Sequence, residues 1–486
     1  VTEETALIWQ GCGPLIVILS TLLASCAVGP DYHPATSSEL GVPSTYIRGP
    51  GAALDEAELA SWWERFNDPA LDQLVDATIA ANLDLEQAKA RLRQARESTV
   101  QAESSLFPSV SASGGVGRNI SNRDRDTSSF SLGLDASWQV DLFGGIRRSV
   151  EAAEADEEAT EYDLASVRIA LIAEMASNYI QLRQSQEALA VTQETIRNQQ
   201  DNYDIARWRV QAGLLSSLDE ESARTQLAQT KALLPAIESN INGAAYRIAV
   251  LIAQPPGAVR VPEMKVQAPG TVAFALDAAE IPKPPAGLAE GIPTDTLRQR
   301  PDVRAAERAL AAATARVGVA EAQLLPSLGL AGSVGTVALS TGGLFDVITG
   351  SLFAGISQVL FDGGARASQV RSQEAAVDGA FAAYRQTILL SMEDVENALV
   401  AIDTADHRVE QFSIAYDAAN NSVILARLQY QSGLIDFQTL RTNENALLSA
   451  HGNLIEMRGA QAQAVVQLYN ALGGGWQSTD INGNGQ

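Results

Sequence analysis

The chain has 486 residues, of which 46% are hydrophobic, and its 58 acidic and 34 basic side chains give a formal net charge of -24 at pH 7. Such a charge excludes a surface built to neutralise nucleic-acid phosphates, so nucleic acid is not an expected partner. The two cysteines, Cys12 and Cys26, cannot staple a core, the three histidines stand apart from other metal ligands, and no nucleophile elbow or phosphate loop occurs, so an enzyme finds no support.

At the amino terminus, Pro14 to Ala24 form an apolar run. It is short of the ~20 residues of a membrane-spanning helix but suits the core of a signal peptide. The run closes on Leu23, Ala24, Ser25 and Cys26, which resembles the lipobox of bacterial lipoproteins, although the residues before it carry Glu3 and Glu4 and no Lys or Arg. That resemblance implies a signal peptide over residues 1–25 and a covalent lipid on Cys26; no other cofactor is expected. The alternative is a buried apolar segment with an incidental cysteine.

Residues 26–60 read as an irregular arm. Trp62, Trp63, Phe66, Pro69, Leu71 and Leu74 then open a helix capped by Asp68, with proline at its first position, which the spacing carries on to Leu106. Pro108 ends it, and alternation of Val110, Ala112 and Gly114, then Phe130, Leu132 and Leu134, with small polar residues predicts a β-hairpin over 108–140. Gly145 to Ala212 contains no proline and carries Tyr162, Val167, Ile169, Ile172, Met175, Tyr179 and Leu182 on one face, which predicts a single helix over 145–212. Gly213 stops it, and a return helix follows over 219–254. Eight prolines mark a linker over 255–299.

The same series then recurs. Arg300, Pro301 and Asp302 start a helix, Pro326 breaks it, a second hairpin is predicted over 326–361, a second rod over 364–432 and a second return helix over 436–472, before a tail at 477–486. In this rod Val377, Phe381, Tyr384, Ile388, Met392, Val395, Leu399 and Ile402 alternate steps of three and four, an apolar seam of coiled-coil type. Phe107, Pro108 and Ser109 match Leu325, Pro326 and Ser327 at an offset of about 219 residues, and Gly213, Leu214 match Gly433, Leu434, so residues 61–254 and 300–476 read as an internal duplication. Four short amphipathic strands cannot close a barrel, and lipid tolerates no open strand edge, so several chains must close it together.

The arrangement resembles the outer membrane factor family (TolC-like), and within it the lipoprotein branch. The residues that carry this resemblance are Cys26, Gly29, Pro30 and Tyr32; Trp62, Trp63, Phe66, Asp68, Pro69 and Leu71; Arg300 to Arg304, Ala306 and Glu307; Leu325 to Ser327; and Val359 and Phe361 to Gly364. It implies an α+β membrane protein: a homotrimer with a 12-stranded outer-membrane β-barrel, four strands per chain, continuous with a periplasmic α-helical coiled-coil barrel. The implied function is the exit duct of a tripartite RND-type efflux pump for drugs or other small solutes, with a periplasmic adaptor (membrane fusion protein) and an inner-membrane transporter as partners. In the family an acid after the first tip glycine bonds a tyrosine before the second, a latch that Asp219 and Tyr430 would form here; the alternative is that Asp219 caps a helix and Tyr430 packs in a groove. Where relatives place an acid ringing the pore, this chain has Thr442, flanked by Arg441 and Asn445, so the ring is absent or shifted to Asp436, itself also a natural helix cap. A type I protein-secretion duct and a periplasmic coiled-coil scaffold without a pore are the competing readings.

Overall fold

The computed structural model describes residues 27–40, 56–120, 126–263, 273–285 and 299–476. Cys12 and Cys26 lie outside these. The described chain is mostly helical, with one four-stranded antiparallel sheet and one two-stranded parallel pair. It divides into two compact units, the first holding residues up to 40, 90–162 and 304–387, the second 41–89, 163–303 and 388–486.

In the second unit a short helical turn at Glu56–Ala60 and a 3-10 turn at Trp62–Phe66 precede α1 (Pro69–Ala81), whose N-cap Asp68 accepts from the backbone amides of Ala70 and Leu71. The helix does not run on to Leu106. It ends at buried Asn82, and α2 (Leu83–Ser104) starts there. Asn82 serves both: its Oδ1 accepts from the amides of Asp84 (2.8 Å) and Leu85 (3.2 Å), and its Nδ2 donates to the carbonyl of Leu251 at 2.8 Å. The apolar spacing continues across this break, which is why spacing alone conceals it.

Two 67-residue helices dominate, α3 (Gly145–Gln211) and α6 (Ala365–Gln431), each about 100 Å long at 1.5 Å per residue. Each is followed by a 35-residue helix, α4 (Ser217–Leu251) and α7 (Phe437–Ala471). In the second unit the core gathers Trp62, Leu71, Ile172, Met175, Tyr179, Ile248, Val395, Leu468 and Tyr469, with Trp62 stacked on Tyr469 at 5.0 Å between ring centroids. The short parallel pair, β3 (Val259–Arg260) with β4 (Phe274–Ala275), belongs to this unit.

The first unit holds α5 (Pro301–Ala322) from Arg304 onward and the four-stranded sheet: β1 (Ser109–Asn119), β2 (Thr127–Val140), β5 (Ser327–Ala338) and β6 (Thr349–Ser357), in the order β1-β2-β5-β6. The second hairpin stops short of the predicted end: Val359, Leu360 and Phe361 follow the strand as exposed, unpaired chain. At both strand-to-helix turns an aspartate takes the free amides of the coming helix, Asp141 those of Ile146 and Arg147, and Asp362 those of Gly364 and Arg366.

The arm beyond Ala27 is held in this unit by Arg148, only 6% exposed, whose guanidinium donates to the carbonyls of Val28 and Gly29 and to Asp31 at 2.5 Å. Gly29, at φ +98°, lies so close to Gly318 that a Cβ would come 2.3 Å from its Cα. Further along, the Tyr32 hydroxyl donates to Glu307 and its ring underlies Arg308. No helix among the described residues is long and apolar enough to cross a membrane.

Candidate functional site

Two places in the fold carry residues without an evident packing purpose: the pair of helix-to-helix turns in the second unit and the sheet in the first.

At the turns, Gly213 and Gly433 sit at φ +71° and +72°, a left-handed conformation that glycine adopts without steric cost. Each closes its helix in the same way, Leu214 donating to Arg209 and Leu434 to Gln429. The return helices are capped by Ser216, which accepts from the Asp219 amide, and by Asp436, whose carboxylate accepts from Thr439 at 2.8 Å. Hydrogen bonds from the Thr439 hydroxyl and then from its amide hold the Asp436 carboxyl below its usual range. Ser216, not Asp219, is therefore the cap of the first return helix; Asp219 sits three residues later and takes the Ser216 hydroxyl at 2.6 Å.

The Asp219–Tyr430 bond is not made within this chain. Local capping occupies the acid, and the Tyr430 hydroxyl instead accepts from Arg209 Nη1 at 2.9 Å, while the guanidinium lies 5.0 Å from the ring centroid. Tyr430 also meets Phe437 at 5.9 Å, beside an apolar nest of Ala206, Ala223 and Phe437. The two turns are thus joined by an arginine that sequence reading passed over, although its place before Gly213 was visible. Of the remaining candidates, Asn445 donates to Gln226 at 3.1 Å, Arg441 to Gln438 and Thr442 to the Gln438 carbonyl. Asn202 and Arg427 both bind Glu444, at 2.8 and 3.1 Å. The helix α3 changes character on its way to this end. Its buried positions include Ile172, Met175, Tyr179, Leu182 and Leu189 along one stretch, and beyond Leu189 they are Thr192, Gln199 and Ala206 at seven-residue intervals. Both amide atoms of buried Gln199 lack a hydrogen-bond partner among the described residues.

In the sheet, register sorts the side chains. Val116↔Phe130↔Ala338, Ala112↔Leu134↔Val334 and Trp138↔Leu330↔Ala354 fall on one face. The other face carries rows such as Ser111↔Asp135↔Ser333↔Ser351 and Ser109↔Ser137↔Ala331↔Phe353. Hydroxyl contacts cross this second face, Ser109 to Ser137 at 2.9 Å and Ser333 to Ser351 at 2.8 Å. Large apolar residues of the first face, among them Leu132, Leu134, Val334, Leu352 and Ile356, stand exposed. The outer edges of β1 and β6 have no partner strand within the sheet.

A sheet apolar on one face and serine-rich on the other, with very long helices springing from its strands, defines a class: β-strand pores of the outer membrane that continue as helical conduits. The chain belongs to the outer membrane efflux protein family, whose model matches residues 74–254 and 292–474. It is 30% identical over 464 residues to Nodulation protein T of Rhizobium leguminosarum bv. trifolii, spanning 94% of this chain and 96% of that protein. It is also 30% identical to the pyoverdine export outer membrane protein OpmQ of Pseudomonas aeruginosa, with 94% and 95% covered. Among solved structures, the outer-membrane channel OprN superposes with a TM-score of 0.76 at 33% identity, over 93% of this chain and all of that one. The open-state MtrE channel of Neisseria gonorrhoeae gives 0.78 at 26%, over 93% and 98%. The protein is an outer-membrane exit duct of an efflux system, a channel that extends into the periplasm and catalyses no reaction.

Proposed function

We propose that the duct is a homotrimer in which three four-stranded sheets close a twelve-stranded barrel, apolar face to lipid and serine-rich face to the lumen, over a periplasmic coiled-coil tunnel. The observation that carries this is the amphipathic sheet with two unpartnered edges. Such edges are not tolerated in hydrocarbon, and pairing β6 of one copy with β1 of the next removes them. The two-part family match and the repeated order of a hairpin, a 67-residue helix and a 35-residue helix support an internal duplication of residues 61–254 and 300–476, on either side of a linker at 255–299.

On this reading the duct passes drugs or other small solutes, in keeping with relatives named for export of pyoverdine, toluene and cations. A periplasmic adaptor and an inner-membrane RND-type transporter complete the pump, and a lipid on Cys26 adds an anchor. The periplasmic gate is the pair of turns with Asp219, Tyr430, Asp436, Arg441, Thr442 and Asn445. Its closing contact within the chain is Arg209 on Tyr430, with Asp219 taken up by the hydroxyl of the cap residue Ser216. The decisive experiment combines palmitate labelling with chemical crosslinking of outer-membrane vesicles. A labelled band at three times the monomer mass that survives heating after crosslinking, and that without crosslinking dissociates only on heating, supports the reading, and a soluble monomer without detergent overturns it.

A further inference from the structure

The serine-rich face of the sheet carries one large aromatic ring. On β6 its members are Thr349, Ser351, Phe353, Gly355 and Ser357, and in the rows across the sheet Phe353 faces Ala331 of β5, with Ser137 of β2 and Ser109 of β1 beyond. The ring is folded down along its own strand, so that a Cβ on Gly355 would come 2.6 Å from its Cε1. The ring occupies the space above Gly355 and remains accessible from solvent, the residue being 66% exposed. The ring borders a groove of about 730 Å³ whose walls include Ser137, Gln139, Ser327 and Ser357.

One step along the same face stands Asp135. Register places it level with Ser333, two residues on from the Ala331 that faces Phe353. Two strand spacings across and two residues along put the Cα atoms of Asp135 and Phe353 about 12 Å apart. The Asp135 carboxylate has no ion-pair partner among the described residues, and its neighbours on this face are serines and glycines that supply no counter-charge.

We propose that Phe353 and Asp135 form a transit site on the inner wall of the barrel for planar aromatic cations. The solute's ring system stacks on the exposed ring of Phe353, and its positive charge is drawn to Asp135, across a span that suits a drug-sized molecule. The surrounding hydroxyls let water and polar solutes pass without holding them. Stacking on one ring and attraction to one exposed carboxylate are individually weak, so a solute is retained briefly and released, as a conduit requires. The inference rests on the proposed closure, which turns this face toward the lumen, and threefold symmetry would set three such sites around one level of the pore.

The test uses the full-length protein in planar bilayers, with ethidium added on the barrel side. A second measurement, ethidium fluorescence polarisation on the detergent-purified oligomer, reports binding without needing an open gate. Phe353→Ala is expected to raise the half-saturating ethidium concentration about three- to tenfold. Asp135→Asn should do the same, and Phe353→Trp should preserve binding. Tetraethylammonium, a cation without a ring, should be insensitive to Phe353→Ala. Equal ethidium binding by wild type and Phe353→Ala, in oligomers of normal heat stability, overturns the proposal while leaving the duct intact. Absence of both conductance and a stable oligomer in the wild type removes the closure, and this site with it.

Discussion

Arg209 is the residue on which the two turns depend, because one guanidinium both donates to the Tyr430 hydroxyl and covers its ring. Tyr430→Phe removes the hydrogen bond and keeps the ring, while Arg209→Ala removes both. Closed-state conductance in planar bilayers should therefore rise modestly in the first and more in the second, the hydrogen bond to a charged donor contributing about 1.5–3 kcal/mol. Asp219→Ala should leave that conductance nearly unchanged. A pH dependence belongs to the arm. The Arg148 guanidinium, by hydrogen bond and charge, holds the Asp31 carboxyl below its ordinary range, so the contact contributes fully above the unfolded pKa and is lost as pH falls through the folded one. Protease cleavage of the arm should increase as the solution is acidified below the usual carboxylate range, and Asp31→Asn should show the increased cleavage already at neutral pH.

At the scale of elements, α3 passes from an apolar seam to a polar one. Buried Gln199 has no partner for its amide among the described residues, and an unsatisfied buried amide destabilises its surroundings. Gln199→Leu should raise the thermal midpoint of the detergent-solubilised protein, by about 1–2 kcal/mol of stability, and lower the frequency of channel opening. Loss of stability on this substitution would show that the amide is satisfied by water. The rods and strands were legible because their signals are local: proline-free apolar spacing in Tyr162 to Leu182, and alternation in Phe130 to Leu134. The break at Asn82 was hidden by unbroken spacing, though an asparagine followed by Asp84 and Glu86 is itself a cap signal. Ser216 with Asp219 three residues on was likewise a readable capping pattern. What no local pattern carries is the pairing of β2 with β5, or the reach of Arg148 to Val28 and Gly29. Those contacts join segments far apart in sequence, and the ring of Phe353 acquires meaning only once strand register assigns it a face.

For the whole molecule, the open edges of β1 and β6 have a genetic corollary. If the duct closes as the proposed trimer, every copy touches both neighbours, so one faulty member spoils the work of two sound ones. When intact chains and chains lacking Thr349–Ser357 are made in equal amounts and mix freely, only about one ring in eight contains no defective member. The yield of heat-resistant oligomer should fall to that fraction, whereas a protein that functioned singly would keep half. A damaged allele of this gene would therefore behave as dominant, and susceptibility to an exported toxin would exceed what gene dosage alone implies.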